Sequence, residues 1–357
     1  MKKLKLSLAA LACAALAACS GQSNQNAQPT GVARNGAGAL NVVGAGSSFD
    51  YPFFSRAFYD YQKLHPEVSV NYQSIGSGGG IRQFTARTVD FAATDVPMSA
   101  AELRALPSGP GGAIQIPITL GGVVLAYNVG QASGNLKLSS AVIAGICLGK
   151  IRDWSDPAIG KLNPAAGLKS LPIVLVHRAD GSGTTYIFSD YLASVSPEWN
   201  RRVGKGKSVN WPAPAALGAK GNEGVAGQIR NTPGAVGYIE LAYALQNDMT
   251  FAAVQNGAGN FVLPSPQSVA AAAANKPAVS ATSFSIVNAA GRDSYPIAGY
   301  SWVVLSRHYT DARKNAALRA LFGWMLGEGQ ARAQTLNYTA LPPAVAENAR
   351  RQLMNVR

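Results

Sequence analysis

Apolar positions along the chain fall into short runs of strand length, separated by stretches where they recur at helical spacing. Leu40 to Val43 is apolar and β-capable, and Phe53 to Leu64 follows with a helical pattern. Val68 to Tyr72, with Ile75, predicts a second strand, and a helix is expected from about Gly80 to Arg87. Phe91 to Ala93 predicts a third short strand. Ser99-Ala-Ala-Glu102 then has the form of a capping box that opens a helix. Strands that alternate with helices imply an α/β protein with parallel strands and helical crossovers. No repeat of solenoid length occurs.

The pattern differs before residue 38. Lys2, Lys3 and Lys5 precede an apolar run from Leu6 to Ala18, which is too short for a good membrane span and reads as an export signal over residues 1–18. It ends in Leu16-Ala17-Ala18-Cys19, which resembles a bacterial lipoprotein box with Cys19 as the acylated residue; cleavage at a nearby small residue is the alternative. Residues 19–37 are rich in Gly, Ser, Asn and Gln and without periodicity. They read as a flexible tether holding a folded body off a membrane surface. Loss of Cys13 with the signal and lipidation of Cys19 would leave Cys147 without a disulfide partner, as a small buried hydrophobe.

With 357 residues, 47% of them hydrophobic and only 14% charged, the chain has apolar material for two lobes of ordinary size. Beyond the N-terminus no stretch approaches the about 20 apolar residues of a spanning helix. Lys and Arg total 31 against 18 Asp and Glu, a balance that can steer anions. The clearest basic cluster, Arg201, Arg202, Lys205 and Lys207, reads as a solvated loop, and no basic stripe with interleaved aromatics suggests nucleic-acid binding. The apolar residues of Leu318 to Met325, including Trp324, have helical spacing and read as core.

The chemistry lies at three strand-to-helix joints. Leu40-Asn41-Val42-Val43 runs into Gly44-Ala45-Gly46-Ser47-Ser48-Phe49, and Val70 to Ile75 runs into Gly76-Ser77-Gly78-Gly79-Gly80. Leu171 to Val176 runs into His177-Arg178-Ala179-Asp180-Gly181-Ser182-Gly183-Thr184-Thr185. Glycine lets backbone approach a ligand, Ser and Thr add hydroxyls, and a helix N-terminus offers free N–H groups at its positive end. One such joint is an ordinary cap. Three, with Arg178 beside the third, suit a tetrahedral oxyanion.

Other chemistries fail on spacing. Gly206-Lys207-Ser208 lacks the upstream glycine of a phosphate-binding loop, since that position is Arg201. The third glycine of a dinucleotide fingerprint would fall at Ile81 or Phe49. His65, His177 and His308 are far apart, so neither a metal site nor a cofactor is expected, and His177 reads as a structural histidine at a strand end. Gly181-Ser182-Gly183 has the wrong spacing for a nucleophile elbow.

GAGSSF at 44–49, YQSIGSGGGI at 72–81, VDFAATDVPMS at 89–99, GGVVLAYN at 121–128, RADGSGTT at 178–185 and TPGAVGYIE at 232–240 occur in this order. Together they resemble the phosphate-binding proteins of bacterial high-affinity phosphate ABC importers, over a span from about Leu40 to the C-terminus. Residues 257–288 lack a clear match. The resemblance implies the type II periplasmic-binding-protein fold, two α/β lobes joined by two crossing segments with the ligand in the cleft. Lobe one would comprise 38–124 and 297–357, and lobe two 125–296, with crossings near Gly122 to Asn128 and Tyr295 to Trp302. It also implies a non-enzymatic monomer, exported and lipid-anchored to the cell envelope, that binds inorganic phosphate and delivers it to the transmembrane subunits of an ABC permease.

By the same resemblance Ser48 and Phe49 supply a hydroxyl and backbone donors, Ser77 a further hydroxyl, and Asp95 accepts a proton from the ligand. Arg178, Ser182, Gly183 and Thr184 close over it from the second lobe. Asp180 aligns Arg178, with a helix N-cap as its other reading. Phosphate near neutral pH carries at least one P–OH that a carboxylate can accept, whereas sulfate has none to give. Related oxyanions, a phosphatase, and a phosphate sensor or adhesin without a permease are the competing readings. A phosphatase would need a nucleophile paired to a base or a metal, and the sequence displays neither.

Overall fold

The computed structural model describes residues 39–130 and 134–357. The expected signal at 1–18, Cys19 and the tether to residue 37 lie outside them. The strands are β1 (Leu40–Gly46), β2 (Val68–Ser74), β3 (Phe91–Thr94), β4 (Ala113–Tyr127), β5 (Lys137–Leu138), β6 (Val174–Arg178), β7 (Ala216–Ala219), β8 (Ala235–Glu240), β9 (Ala253–Gln255), β10 (Phe261–Val262) and β11 (Ala298–Ser306). Eight of them form one mixed sheet in the order β2-β1-β3-β11-β4-β8-β6-β7, and β10-β9-β5 form a small second sheet.

The parallel sheet expected from the sequence holds only at the two ends. β1 runs parallel to β2 and β3, and β6 runs parallel to β7 and β8. The middle is antiparallel: β11 against β3 and β4, and β4 against β8. Both central strands are buried nearly throughout, and a continuous apolar run carries no mark of strand direction. The 15-residue β4 pairs with β11 as far as Gly122 and with β8 from Val123, so this one strand joins two half-sheets.

Helices cover both faces. The Tyr51–Leu64 helix buries Phe53, Phe54, Ala57, Phe58 and Tyr61; each such phenylalanine contributes roughly 1.5–3 kcal/mol relative to exposure. Tyr61 packs on Trp324 of the Ala312–Met325 helix, whose Leu318, Leu321, Phe322 and Met325 are buried core. The Ser99 capping box is present, with Glu102 as its reciprocal partner. The helix expected from about Gly80 begins earlier than its spacing predicts, at Ser77, because glycines without apolar character form its first turn.

Cys147 ends the Ser140–Cys147 helix in the core, where burial raises its thiol pKa and keeps it an inert hydrophobe. The stretch 257–288 holds β10 and the Pro266–Ala274 helix, which buries Val269 and Ala272. Among the described residues no helix is long and apolar enough to cross a membrane.

Candidate anion-binding site

Parallel strands of both half-sheets end at one cleft, the position where open α/β sheets place ligands. β1 delivers Ser47 to Asp50, β2 leads into Ser77, and β3 ends just before Asp95. From the other half, β6 ends on Arg178 ahead of the Gly183–Val195 helix, and β7 leads into Asn222 of the Gly221–Asn231 helix. Gly76 has φ +79°, and a Cβ there would stand 2.1 Å from Asp180 Oδ2. A Cβ on Gly183 would stand 2.5 Å from Asp95 Oδ2, so two glycines permit the halves to meet.

The sequence-predicted residues are brought together. Ser48, Phe49, Ser77, Asp95, Arg178, Ser182, Gly183 and Thr184 are all buried. Ser48 Oγ accepts from Asn222 N and Nδ2 at 3.1 and 3.0 Å. Ser77 Oγ accepts from Gly183 N at 3.1 Å and Asp95 N at 3.3 Å. Thr184 Oγ1 accepts from Asn222 Nδ2 at 3.2 Å and Arg178 Nη1 at 3.4 Å. In each pair the hydroxyl oxygen is occupied as an acceptor, which leaves its proton to be donated to an anion. Ser182 caps its helix by accepting from Thr185 N, and Phe49 N is directed at Ser47 Oγ, 2.9 Å away. Asp180 is therefore not the cap of that helix.

Arg178 is paired in fork geometry: Nε donates to Asp180 Oδ1 at 2.8 Å and Nη2 to Oδ2 at 2.5 Å. Burial opposes both charges. The pairing outweighs it, holding the Asp180 carboxyl below its usual range and the guanidinium above its own. Asp95 Oδ1 accepts from Ser47 Oγ at 2.5 Å and Ser301 Oγ at 2.8 Å, while Oδ2 lies on the Gly183 side. Burial pushes the Asp95 pKa up to about 6, with the Ser47 and Ser301 hydrogen bonds and Arg178 working against that rise. Near neutral pH the site thus offers, beside the Asp180 carboxylate already paired to Arg178, one acceptor charge among many donors. Among the described residues no group of three His, Cys, Asp or Glu side chains is placed to hold a metal ion.

Four residues of this constellation carry no sequence prediction: Ser47, Asp50, Asn222 and Ser301. Asn222 sits one residue after Gly221, whose φ is +69°, in a fourth strand-to-helix joint of the kind already noted. Ser301 is the polar interruption of the apolar strand β11. In the basic cluster Arg201, Arg202 and Lys205 are exposed as expected, although Arg201 and Arg202 end the Pro197–Arg202 helix rather than lie in a loop. Lys205 pairs with Asp190 at 2.7 Å, Arg202 with Glu198 at 2.9 Å, and Lys207 with Glu102. Lys207 thereby ties the segment after the second-half helices to the capping box of the first half. Gly78 N to Gly181 O at 2.8 Å and Tyr243 OH to Ser48 O at 2.6 Å close the cleft further. His177 stands on β6 with its ring stacked on Trp211.

Two half-sheets that present strand ends and helix N-termini to one shared cleft are the arrangement of a binding protein, and a family model described as the PBP superfamily domain matches residues 24–328. The chain is similar to the phosphate-binding protein PstS of Xylella fastidiosa (strain 9a5c), 42% identical over 334 residues, covering 90% of this chain and 89% of that one. It is 43% identical over 317 residues to the PstS of Pasteurella multocida (strain Pm70), covering 88% and 90%. It belongs to the PstS family of phosphate-binding proteins. A solved periplasmic phosphate-binding protein, PfluDING bound with phosphate, superposes with a TM-score of 0.69 at 24% identity, covering 87% of this chain and 93% of that one. That likeness carries the fold, a periplasmic-binding-protein fold.

Proposed function

We propose that the protein captures inorganic phosphate outside the cytoplasm and hands it to the transmembrane subunits of an ABC-type permease. The observation that carries this reading is Asp95, a charged acceptor set among Arg178 and the Ser48, Ser77 and Thr184 hydroxyls. That combination selects an oxyanion that brings its own proton. The ligand is held by Ser48, Phe49, Ser77, Asp95, Arg178, Ser182, Gly183 and Thr184, with Asp180 aligning the guanidinium. Nothing in this set performs covalent chemistry, and the protein acts as a receptor rather than an enzyme. Calorimetry on ligand-stripped protein should give one phosphate per chain at micromolar affinity or tighter, with sulfate far weaker. Equal affinity for the two anions would overturn the assignment.

Lobe one comprises 38–124 and 297–357 and lobe two 125–296, hinged where β4 exchanges β11 for β8. Phosphate then favours closure, because its donors come from both sides of the hinge. Small-angle scattering should record a modest fall in radius of gyration on binding. The Lys207–Glu102 pair acts as a clasp on the closed form. Lys207→Ala should speed phosphate release by about 2- to 5-fold, the worth of a partly exposed ion pair. Stopped-flow displacement reads that rate, and an unchanged rate would deny the clasp.

Cys19 carries the lipid that anchors the monomeric receptor at the envelope surface. Cys19→Ser should move the protein from the membrane to the soluble envelope fraction.

A further inference from the structure

Asp50 follows Phe49 directly and is fully buried, yet the phosphate-binding set does not use it. Ser301 Oγ stands 2.6 Å from Asp50 Oδ2 and 2.8 Å from Asp95 Oδ1. A serine hydroxyl has one proton, so it can donate to only one of these oxygens. If both carboxyls were ionised, the other contact would press lone pair against lone pair at hydrogen-bond distance, away from water. The contact is satisfied when one carboxyl is protonated and donates to Ser301.

Which carboxyl keeps the proton follows from their surroundings. Asp95 Oδ1 receives a second hydrogen bond from Ser47, and Arg178 favours its charge. Asp50 Oδ1 is buried without a hydrogen-bond partner. The ionisable groups facing Asp50 are Asp95 beyond β3, Glu240 at the end of β8, Tyr72 of β2, Tyr243 and Tyr338. Acids surround it, while Arg178 is committed to Asp180.

The geometry points to Asp50 as a carboxylic acid that donates to Ser301, which in turn donates to Asp95, making Asp50 the positioning residue that keeps Asp95 a charged acceptor. No proton changes owner in this chain. It fixes Asp95 Oδ1 and leaves Oδ2, on the Gly183 side, for the phosphate hydroxyl. Burial and the nearby Asp95 charge both raise the Asp50 pKa well above the usual carboxyl range, in keeping with this assignment. Ionising Asp50 at high pH would return two charges to one serine and weaken binding. The inference rests on the phosphate reading for its consequence, though not for the protonation state itself.

Two measurements on the full chain separate these. Infrared spectra near neutral pH should contain the C=O stretch of a protonated carboxyl that Asp50→Asn removes. Glu240 is a second buried carboxyl whose pKa burial raises, so the signal is read as the difference between wild type and Asp50→Asn. Inorganic phosphate titrations should find Asp50→Ala weakened about tenfold, the scale of one lost hydrogen bond to a polar chain. Asp50→Asn should recover most of that loss, because its amide N–H can replace the acid O–H as donor to Ser301. An infrared spectrum unchanged by Asp50→Asn, or phosphate affinity raised by it as removal of a charge would do, overturns the assignment. So would Asp50→Ala binding as tightly as wild type. Failure of wild type to bind phosphate would count against the receptor reading and leave the infrared result to judge Asp50.

Discussion

Replacing Arg178 by alanine is expected to lower phosphate affinity by roughly 100- to 5,000-fold, about 3–5 kcal/mol, the usual cost of removing one partner from a buried ion pair. The side chain is 1% exposed, so water cannot take the place of its charge. Two losses combine: the anion loses a guanidinium, and Asp180 is left as a half-buried carboxylate without its charge partner, held by the Gly221 N–H at 3.2 Å. Arg178→Ala/Asp180→Asn removes the second loss and should recover part of the affinity. Arg178→Lys keeps the charge but loses the fork, since one ammonium cannot reproduce the two bonds at 2.8 and 2.5 Å. It should fall between. Calorimetry with thermal unfolding as the folding control decides the matter, and a folded Arg178→Ala that binds phosphate within tenfold of wild type would place the anion elsewhere.

Much of this site was legible because its chemistry sits where backbone demands are strictest. Gly76, Ser77 and the run from Arg178 to Thr184 announce themselves through glycines at strand-to-helix joints, where a side chain would collide with the opposite half. What stayed hidden was pairwise geometry. Ser47 and Ser48 are neighbours in one motif, and only the fold assigns Ser47 to Asp95 and Ser48 to Asn222. Asn222 is 174 residues from Ser48, and Ser301 is 206 from Asp95, separations over which no local pattern operates. The antiparallel centre was hidden for a related reason. β4 and β11 are apolar on both faces, and such a run reads the same in either direction. The clasp was missed because Lys207 lies in a basic cluster, and a charge run does not reveal that one member reaches a carboxylate 105 residues away.

Asp95→Asn should weaken phosphate by about 10- to 150-fold, the range of one lost charge-assisted hydrogen bond. Its larger effect is on selectivity. In wild type, sulfate must set an unprotonated oxygen against a desolvated carboxylate, a penalty of several kcal/mol, or roughly a thousandfold. An asparagine amide can donate to that oxygen, so sulfate affinity should rise while phosphate affinity falls, and the gap between them should largely close. Protonation of Asp95 is the same change made without mutation. Its pKa is raised to about 6 by burial, so the carboxylate is charged above that pH and takes up a proton as pH falls through it. Once protonated it becomes a donor, and the sulfate penalty disappears. Wild-type selectivity for phosphate should therefore be steady above about 6 and decline below it, whereas Asp95→Asn should remain unselective across the whole range. Paired phosphate and sulfate titrations at successive pH values test this directly. Selectivity that survives in the mutant, or that in wild type is indifferent to acid, would assign the reading of the ligand proton to a group other than Asp95.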